Sequence, residues 1–176
     1  SPGVAMDAGV VVEAVAAGVD IVGDIDLFVR EATAPVIGIT GSNAKSTVTE
    51  LLGQMARDAN MNAGVGGNLG TPALELLAPE RELYVLELSS FQLERAHDLN
   101  LQVATVLNIS ADHLDRHGTM RRYRMAKHRI FNGCKNAVVN RDDPLTQPLL
   151  NADVTVVSWG MGEPEAGNFG LCWRSG

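Results

Sequence analysis

Cysteine is scarce: Cys134 and Cys172 are the only two in 176 residues, which is no basis for the disulfide framework of a small secreted domain. A reduced, cytoplasmic protein in which both cysteines serve as packing residues is expected. Long apolar runs are missing as well. Stretches such as Val10–Val22 are broken by Glu13, Gly18 and Asp20, whereas a membrane helix needs about 20 apolar residues, so no membrane span is predicted. No basic stretch followed by an apolar one stands at the start, so no secretory signal is read. The chain opens Ser1-Pro2-Gly3 in loop-like sequence without a methionine, and a piece of something longer is expected. Positive charge is also in short supply, with 14 Lys and Arg against 21 Asp and Glu for a net charge of −7. A broad nucleic-acid-binding face needs clustered cations and is therefore not expected. The single basic cluster, Arg121, Arg122, Arg124, Lys127, His128 and Arg129, reads at helical spacing as a solvated face. Neither an internal repeat nor a low-complexity tract is visible.

What remains is ordinary folding material, 45% apolar and 20% charged, in a chain long enough to bury one core and too short for two full domains. Helical patterning at Val10–Ala17 leads through Gly18 to a short apolar segment, Asp20–Val22. Asp24 then stands where it could cap a second helix running to about Ala32. Residues 1–33 are read as a lead-in segment, the remnant of a preceding domain and its linker. Residues 34–176 are read as the main domain, incomplete at its C-terminal end. Pro35 introduces the β-branched run Val36–Thr40, and Lys45–Ala59 follows with helical periodicity. Buried strands are predicted at Leu83–Leu88, Val103–Ile109, Ala137–Asn140 and Val154–Ser158, each nearly continuous in apolar residues. A helix is predicted at about Thr119–Phe131. Gly160–Gly176 shows no clear pattern and is read as a hairpin or a frayed end. Strands alternating with helices imply an α/β fold, a mostly parallel sheet with helices on both faces.

The strongest chemical feature is Thr40-Gly41-Ser42-Asn43-Ala44-Lys45-Ser46-Thr47, placed after a buried strand and opening a helix. In that setting backbone N–H groups face an anion, a lysine reaches the β and γ phosphates, and a hydroxyl ligates Mg²⁺. The general pattern wants glycine before the lysine and again five residues earlier, whereas Ala44 and Ile39 stand there. If the backbone requires positive φ at Ala44, alanine costs about 1 kcal/mol.

This loop resembles the Thr-Gly-x-Asn-Gly-Lys-Ser/Thr signature of the Mur ligase and folylpolyglutamate synthetase superfamily, departing from it at Ala44. Gly66-Gly67-Asn68-Leu69-Gly70, Glu87-Leu88-Ser89-Ser90-Phe91-Gln92-Leu93 and Asp112-His113-Leu114-Asp115-Arg116 resemble in particular the D-glutamate-adding branch of the Mur ligase family. Tyr123-Arg124-Met125-Ala126-Lys127 and Asn140-Arg141-Asp142-Asp143 are similar to the same family, and the likeness runs from Ser1-Pro2-Gly3 and Gly23-Asp24-Ile25 to about Ser158. The fold it implies is the P-loop NTPase-like central domain of such a ligase.

Some roles can be read from the residues as well as from the resemblance. Glu87 ends a predicted strand, the edge at which parallel sheets place ligands, and its carboxylate there suits Mg²⁺ beside the phosphate loop. By periodicity alone Lys127 is a lysine whose stem lies along an apolar stripe with Tyr123 and Phe131. The resemblance implies instead that Lys127 is carbamylated, turning a cation into an anionic oxygen ligand, which requires an unprotonated amine. Asn68 reads either as a turn asparagine tolerating left-handed backbone or, by the resemblance, as a contact to the muramoyl-peptide substrate. The resemblance further implies that the nucleotide lies on Gly41–Thr47 and that Ser46, Glu87, His113 and Lys127 hold two Mg²⁺ ions. It gives Lys45, His113 and Lys127 catalytic roles, and places Gly3, Asn68, Ser89 and His113 at the substrate.

The activity implied is ATP-dependent addition of D-glutamate to UDP-N-acetylmuramoyl-L-alanine through an acyl phosphate, by a monomeric cytoplasmic enzyme that this piece alone does not complete. A folylpolyglutamate synthetase-like ligase, another P-loop NTPase, and a nucleotide-binding module without ligase activity remain as alternatives.

Overall fold

The computed structural model describes residues 3–4 and 6–172. Six parallel strands, β1 (Val36–Thr40), β2 (Ala63–Gly67), β3 (Leu83–Glu87), β4 (Val103–Val106), β5 (Asn136–Asn140) and β6 (Thr155–Trp159), lie in the order β2-β3-β1-β4-β5-β6. The helices are α1 (Gly9–Ala16), α2 (Asp24–Glu31), α3 (Lys45–Asp58), α4 (Ser90–Arg95), α5 (Leu114–His117) and α6 (Met120–His128). The order reverses beside β1, whose neighbours are β3 and β4. Such a switch point opens a crevice at the C-terminal strand ends, where open parallel sheets bind ligands.

The two faces of the sheet are covered unequally. Ile25 and Phe28 of α2, Leu93 of α4 and Tyr123 of α6 join one large core with Leu86, Leu101, Val106 and Ile130. Phe28 is fully buried and meets Tyr84 edge to face, with ring centroids 5.0 Å apart. On the other face, among the described residues, α3 is the helix that packs, through Val48 and Leu52 against Ile39, Val85 and Leu107. Beyond α3 an apolar trough runs along Ile37, Val103, Val138 and Trp159.

The expected parallel sheet with helices on both faces is present, with differences that have physical causes. Gly23, not Asp24, is the N-cap of α2. The Asp26 carboxylate accepts the Gly23 N–H at 3.0 Å, leaving Asp24 free to accept from Gln92 Nε2 at 3.0 Å. Strand β4 ends at Val106 rather than Ile109, because the following backbone turns its polar groups to other partners. The Asn108 carbonyl accepts from Ser42 N–H, and the Ile109 N–H donates to Asp143 Oδ2 at 2.9 Å. The helix predicted to Phe131 is α-helical from Met120 to His128 and continues as a 3₁₀ turn, Arg129–Phe131, with Thr119 as its side-chain cap. The basic cluster is not simply solvated. Arg124 donates to the carbonyls of Leu145 and Gln147, and Arg129 to that of Ala96. Among the described residues of Gly160–Gly176, Phe169 forms a parallel bridge with Trp159, and the last four residues of that stretch, with Ser1 and Pro2, lie outside the described residues.

Strand β2 and helices α4 and α5 are additional to the predicted elements. The sequence of β2, Ala-Gly-Val-Gly-Gly, has poor strand propensity. Its glycines are there for close approach: a Cβ on Gly66 would lie 2.2 Å from the Thr71 carbonyl oxygen and one on Gly67 2.5 Å from that of Glu87. Gly66→Ala should therefore lower unfolding stability in urea by about 1–3 kcal/mol, where an exposed glycine with open space around it, Gly162, should tolerate alanine with little loss.

Candidate active site

The phosphate loop spans Gly41–Ala44 between β1 and α3 and is held from outside by the chain that follows β4. Ser42 N–H donates to the Asn108 carbonyl at 2.9 Å and Asn43 N–H to Asn108 Oδ1 at 2.8 Å. Asn108 Nδ2 returns a bond to the Asn43 carbonyl at 3.1 Å, and Ser42 Oγ donates to the Ser110 carbonyl at 3.0 Å. Two residues that sequence reasoning missed, Asn108 and Ser110, thus brace the loop. Their only signal was two polar residues, alternating with Ile109 and Ala111, at the end of a run predicted as buried strand.

Ala44 sits at φ 64°, ψ 6°, left-handed backbone, as the N-cap of α3. A glycine would occupy this conformation without the clash between Cβ and carbonyl oxygen. Ala44→Gly is therefore expected to raise unfolding stability by about 1 kcal/mol and to raise the melting temperature. Equal or lower stability would show that the loop relaxes at no cost.

Lys45 opens the 14-residue α3, and its Nζ folds back to the Ser42 carbonyl at 3.1 Å. The free N–H groups and dipole at this helix start favour an anion in front of the loop. Ser46 Oγ donates to Glu87 Oε2 at 2.7 Å, and Asn68 Nδ2 donates to Glu87 Oε1 at 2.8 Å. Three predicted site residues from separate segments therefore meet at one carboxylate that is only 2% exposed. Thr47 is exposed on the first turn of α3. Asn68 does not take left-handed backbone; Gly67 and Gly70 beside it do, at φ 102° and 60°.

Lys127 departs from the reading by periodicity, since it does not reach water. It is 2% exposed, and its Nζ donates to the Gly41 carbonyl at 2.8 Å and to Thr40 Oγ1 at 3.3 Å, above the Tyr123 ring at 4.7 Å. Burial, reinforced by the neighbouring Lys45 charge, lowers its pKa from 10.5 to about 7. The unfolded chain keeps this proton at pH values where the folded chain has released it. The unfolded state thus binds more protons between about pH 7 and 10.5, and stability should rise with pH across that window. Urea unfolding at pH 7 and 9 should show the chain gaining stability relative to Lys127→Met, and parallel pH curves would contradict the buried-amine assignment.

His113 stands apart from this cluster. It has φ 50° as the N-cap of α5, its side chain is half exposed, and Nε2 lies 3.5 Å from Asp112 Oδ2. Ser89 is the N-cap of α4 in a reciprocal pair with Gln92. Gly3 lies in an exposed turn ahead of α1, and among the described residues no hydrogen bond joins it to the loop. His117, which sequence reasoning missed, is buried on the inner side of α5. Desolvation lowers its pKa below 6.5, against the raising effect of Glu94.

Among the described residues no group of three or more His, Cys, Asp or Glu is close enough to hold a metal by itself. The donor set nevertheless fits Mg²⁺, which binds through one or two protein oxygens and completes its shell with water and substrate phosphate. The Ser46 hydroxyl and Glu87 carboxylate supply such oxygens beside the loop.

A buried strand, a phosphate loop opening a long helix and a carboxylate bonded to the loop hydroxyl define a nucleotide-phosphate-binding α/β domain. Residues 39–169 match the family described as Mur ligase middle domain, and the chain belongs to that family. It is 57% identical over all 176 residues to the UDP-N-acetylmuramoylalanine–D-glutamate ligase of Pseudomonas aeruginosa, of which it spans 39%. Among solved structures it is similar to a pseudomurein peptide ligase type C from Methanothermus fervidus, with 26% identity and a TM-score of 0.61, covering 78% of this chain and 29% of that one. It is also similar to a MurF ligase from Thermotoga maritima solved in complex with ADP, with 25% identity and a TM-score of 0.59, covering 77% of this chain and 35% of that one. No described helix is long and apolar enough to cross a membrane.

Proposed function

We propose that the protein containing this chain is an ATP-dependent ligase that joins D-glutamate to UDP-N-acetylmuramoyl-L-alanine, acting as a monomer in the cytoplasm without nucleic acid. The observation that carries the reading is 57% identity across the whole chain to a ligase named for that reaction, and here Ser46, just past the phosphate loop, bonds Glu87.

A carboxylate is a poor acyl donor because its leaving group would be oxide. The terminal alanine carboxylate attacks the γ-phosphorus of ATP, the bond to the bridging oxygen breaks, and ADP leaves. The amine of glutamate then attacks the acyl carbon, and phosphate departs as the amide forms and the amine loses a proton. The chain's part is to position and to neutralise. Amides at the start of α3 face the phosphates, and the Lys45 ammonium exchanges its bond to the Ser42 carbonyl for the β and γ phosphates. Asn68 orients Glu87 from one side, and the Ser46 hydroxyl and Glu87 carboxylate are the oxygens that would hold Mg²⁺. Magnesium, when bound, would supply positive charge against the negative charge that spreads over the transferred phosphoryl group.

Further roles rest on the family resemblance. Lys127, with an amine that releases its proton near pH 7, is suited to react with carbon dioxide to give a carbamate, whose oxygen would hold a second Mg²⁺ with His113. Asn68, Ser89, His113 and Gly3 contact the nucleotide-sugar.

Phosphate release from Mg-ATP by the full-length protein tests the reading. Release should require UDP-N-acetylmuramoyl-L-alanine together with D-glutamate, and L-glutamate should not replace it; turnover indifferent to both substrates would refute the reading. Glu87→Gln should lower kcat by about a hundredfold with the fold retained, and circular dichroism together with steady-state kinetics would separate the two effects.

A further inference from the structure

The half-exposed His113 is held by a helix too short to hold itself. Helix α5 has four residues, and a single turn is not stable without tertiary support. Its backbone bonds run from Arg116 N–H and His117 N–H to the His113 carbonyl, at 3.1 and 3.0 Å, and from Gly118 N–H to the Leu114 carbonyl at 2.8 Å. The support comes from α4, which begins three residues after Glu87. Ser90 Oγ and His117 Nε2 are 3.0 Å apart, and both residues are buried. The Phe91 ring lies parallel to His117 at 5.5 Å and 9°, while His113 meets Phe91 at 5.1 Å and 55°. Arg116 sits over Phe91 at 5.7 Å and pairs with Glu94 at 3.1 Å. On its far side His117 meets Tyr123 at 5.3 Å, and the Tyr123 hydroxyl is 3.1 Å from Ser42 Oγ in the phosphate loop.

We propose that His117 is a positioning residue for the ligase reaction: by bonding Ser90 and stacking on Phe91 it fixes α5 to α4, and so sets where the His113 ring stands relative to the phosphate loop. The proposal rests on the reading that His113 serves the reacting centre. It assigns His117 no contact with substrate. It accounts for a buried imidazole that the mechanism does not otherwise use and for the left-handed backbone of His113, which needs surrounding structure to persist.

The test uses the full-length protein with two readouts. His117→Ala should lower kcat by about tenfold to a hundredfold, with KM for Mg-ATP changed by no more than about twofold. Its second readout is independent of activity: the ring-current shift that Phe91 imposes on the His113 Hε1 resonance should collapse toward the value of free histidine. His117→Gln keeps a donor for Ser90 and His117→Phe keeps the stack, and each should recover part of kcat and part of the shift. Should His117→Ala fail to fold, Ser90→Ala removes only the bond and should move both readouts in the same direction by a smaller factor. A variant that loses thermal stability while kcat and the His113 resonance stay unchanged overturns the proposal. Absence of substrate-dependent turnover in the unaltered protein would instead refute the ligase reading, and an unmoved His113 resonance in the variants would refute the positioning role by itself.

Discussion

The carboxylate of Glu87, enclosed at the end of a central strand, organises the site. An isolated buried carboxylate is costly unless both oxygens find donors. Here one oxygen takes the Ser46 hydroxyl and the other the Asn68 amide. That requirement ties the first turn of α3 to the glycine-rich turn after β2, where a side chain at Gly67 would meet the Glu87 carbonyl oxygen at the end of β3. The same two bonds leave an oxygen-rich corner beside the phosphate loop.

Around this corner the polar groups are braced in layers. Asn108 and Ser110 hold the loop from the β4 side, and Lys127 holds it from below through the Gly41 carbonyl. A loop restrained from both of these sides loses little freedom when phosphate arrives, so the N–H groups at the start of α3 are already oriented for charge. The restraint has one visible cost, the left-handed backbone at Ala44.

The unequal faces of the sheet follow from where its apolar side chains go. One face carries α2, α4 and α6 over a continuous core, whereas among the described residues α3 covers part of the other. The site lies where α3 and α6 both reach the C-terminal strand ends, so α3 can deliver Lys45 and Ser46 while α6 delivers Lys127 from the opposite face.

Much of this was legible in the amino-acid sequence itself. Five of the six strands, the helices α1, α2, α3 and α6 and the phosphate loop all carry local signals: β-branched runs, helical periodicity, a lysine and hydroxyls at a helix start. These signals act over a few residues, so order along the chain suffices to show them. Strand β2 was hidden because its glycines answer to close backbone approach, at Gly66 by the turn that returns through Thr71 and at Gly67 by Glu87 of the neighbouring strand, rather than to strand propensity. Lys127 looked like a lysine reaching water because periodicity shows which stripe a side chain shares, not how deep that stripe lies. Its burial, the pairing of Asn108 with the loop and the stacking of His117 on Phe91 were decided by tertiary structure alone. Each joins groups at least 26 residues apart, and only the folded sheet brings them within bonding distance.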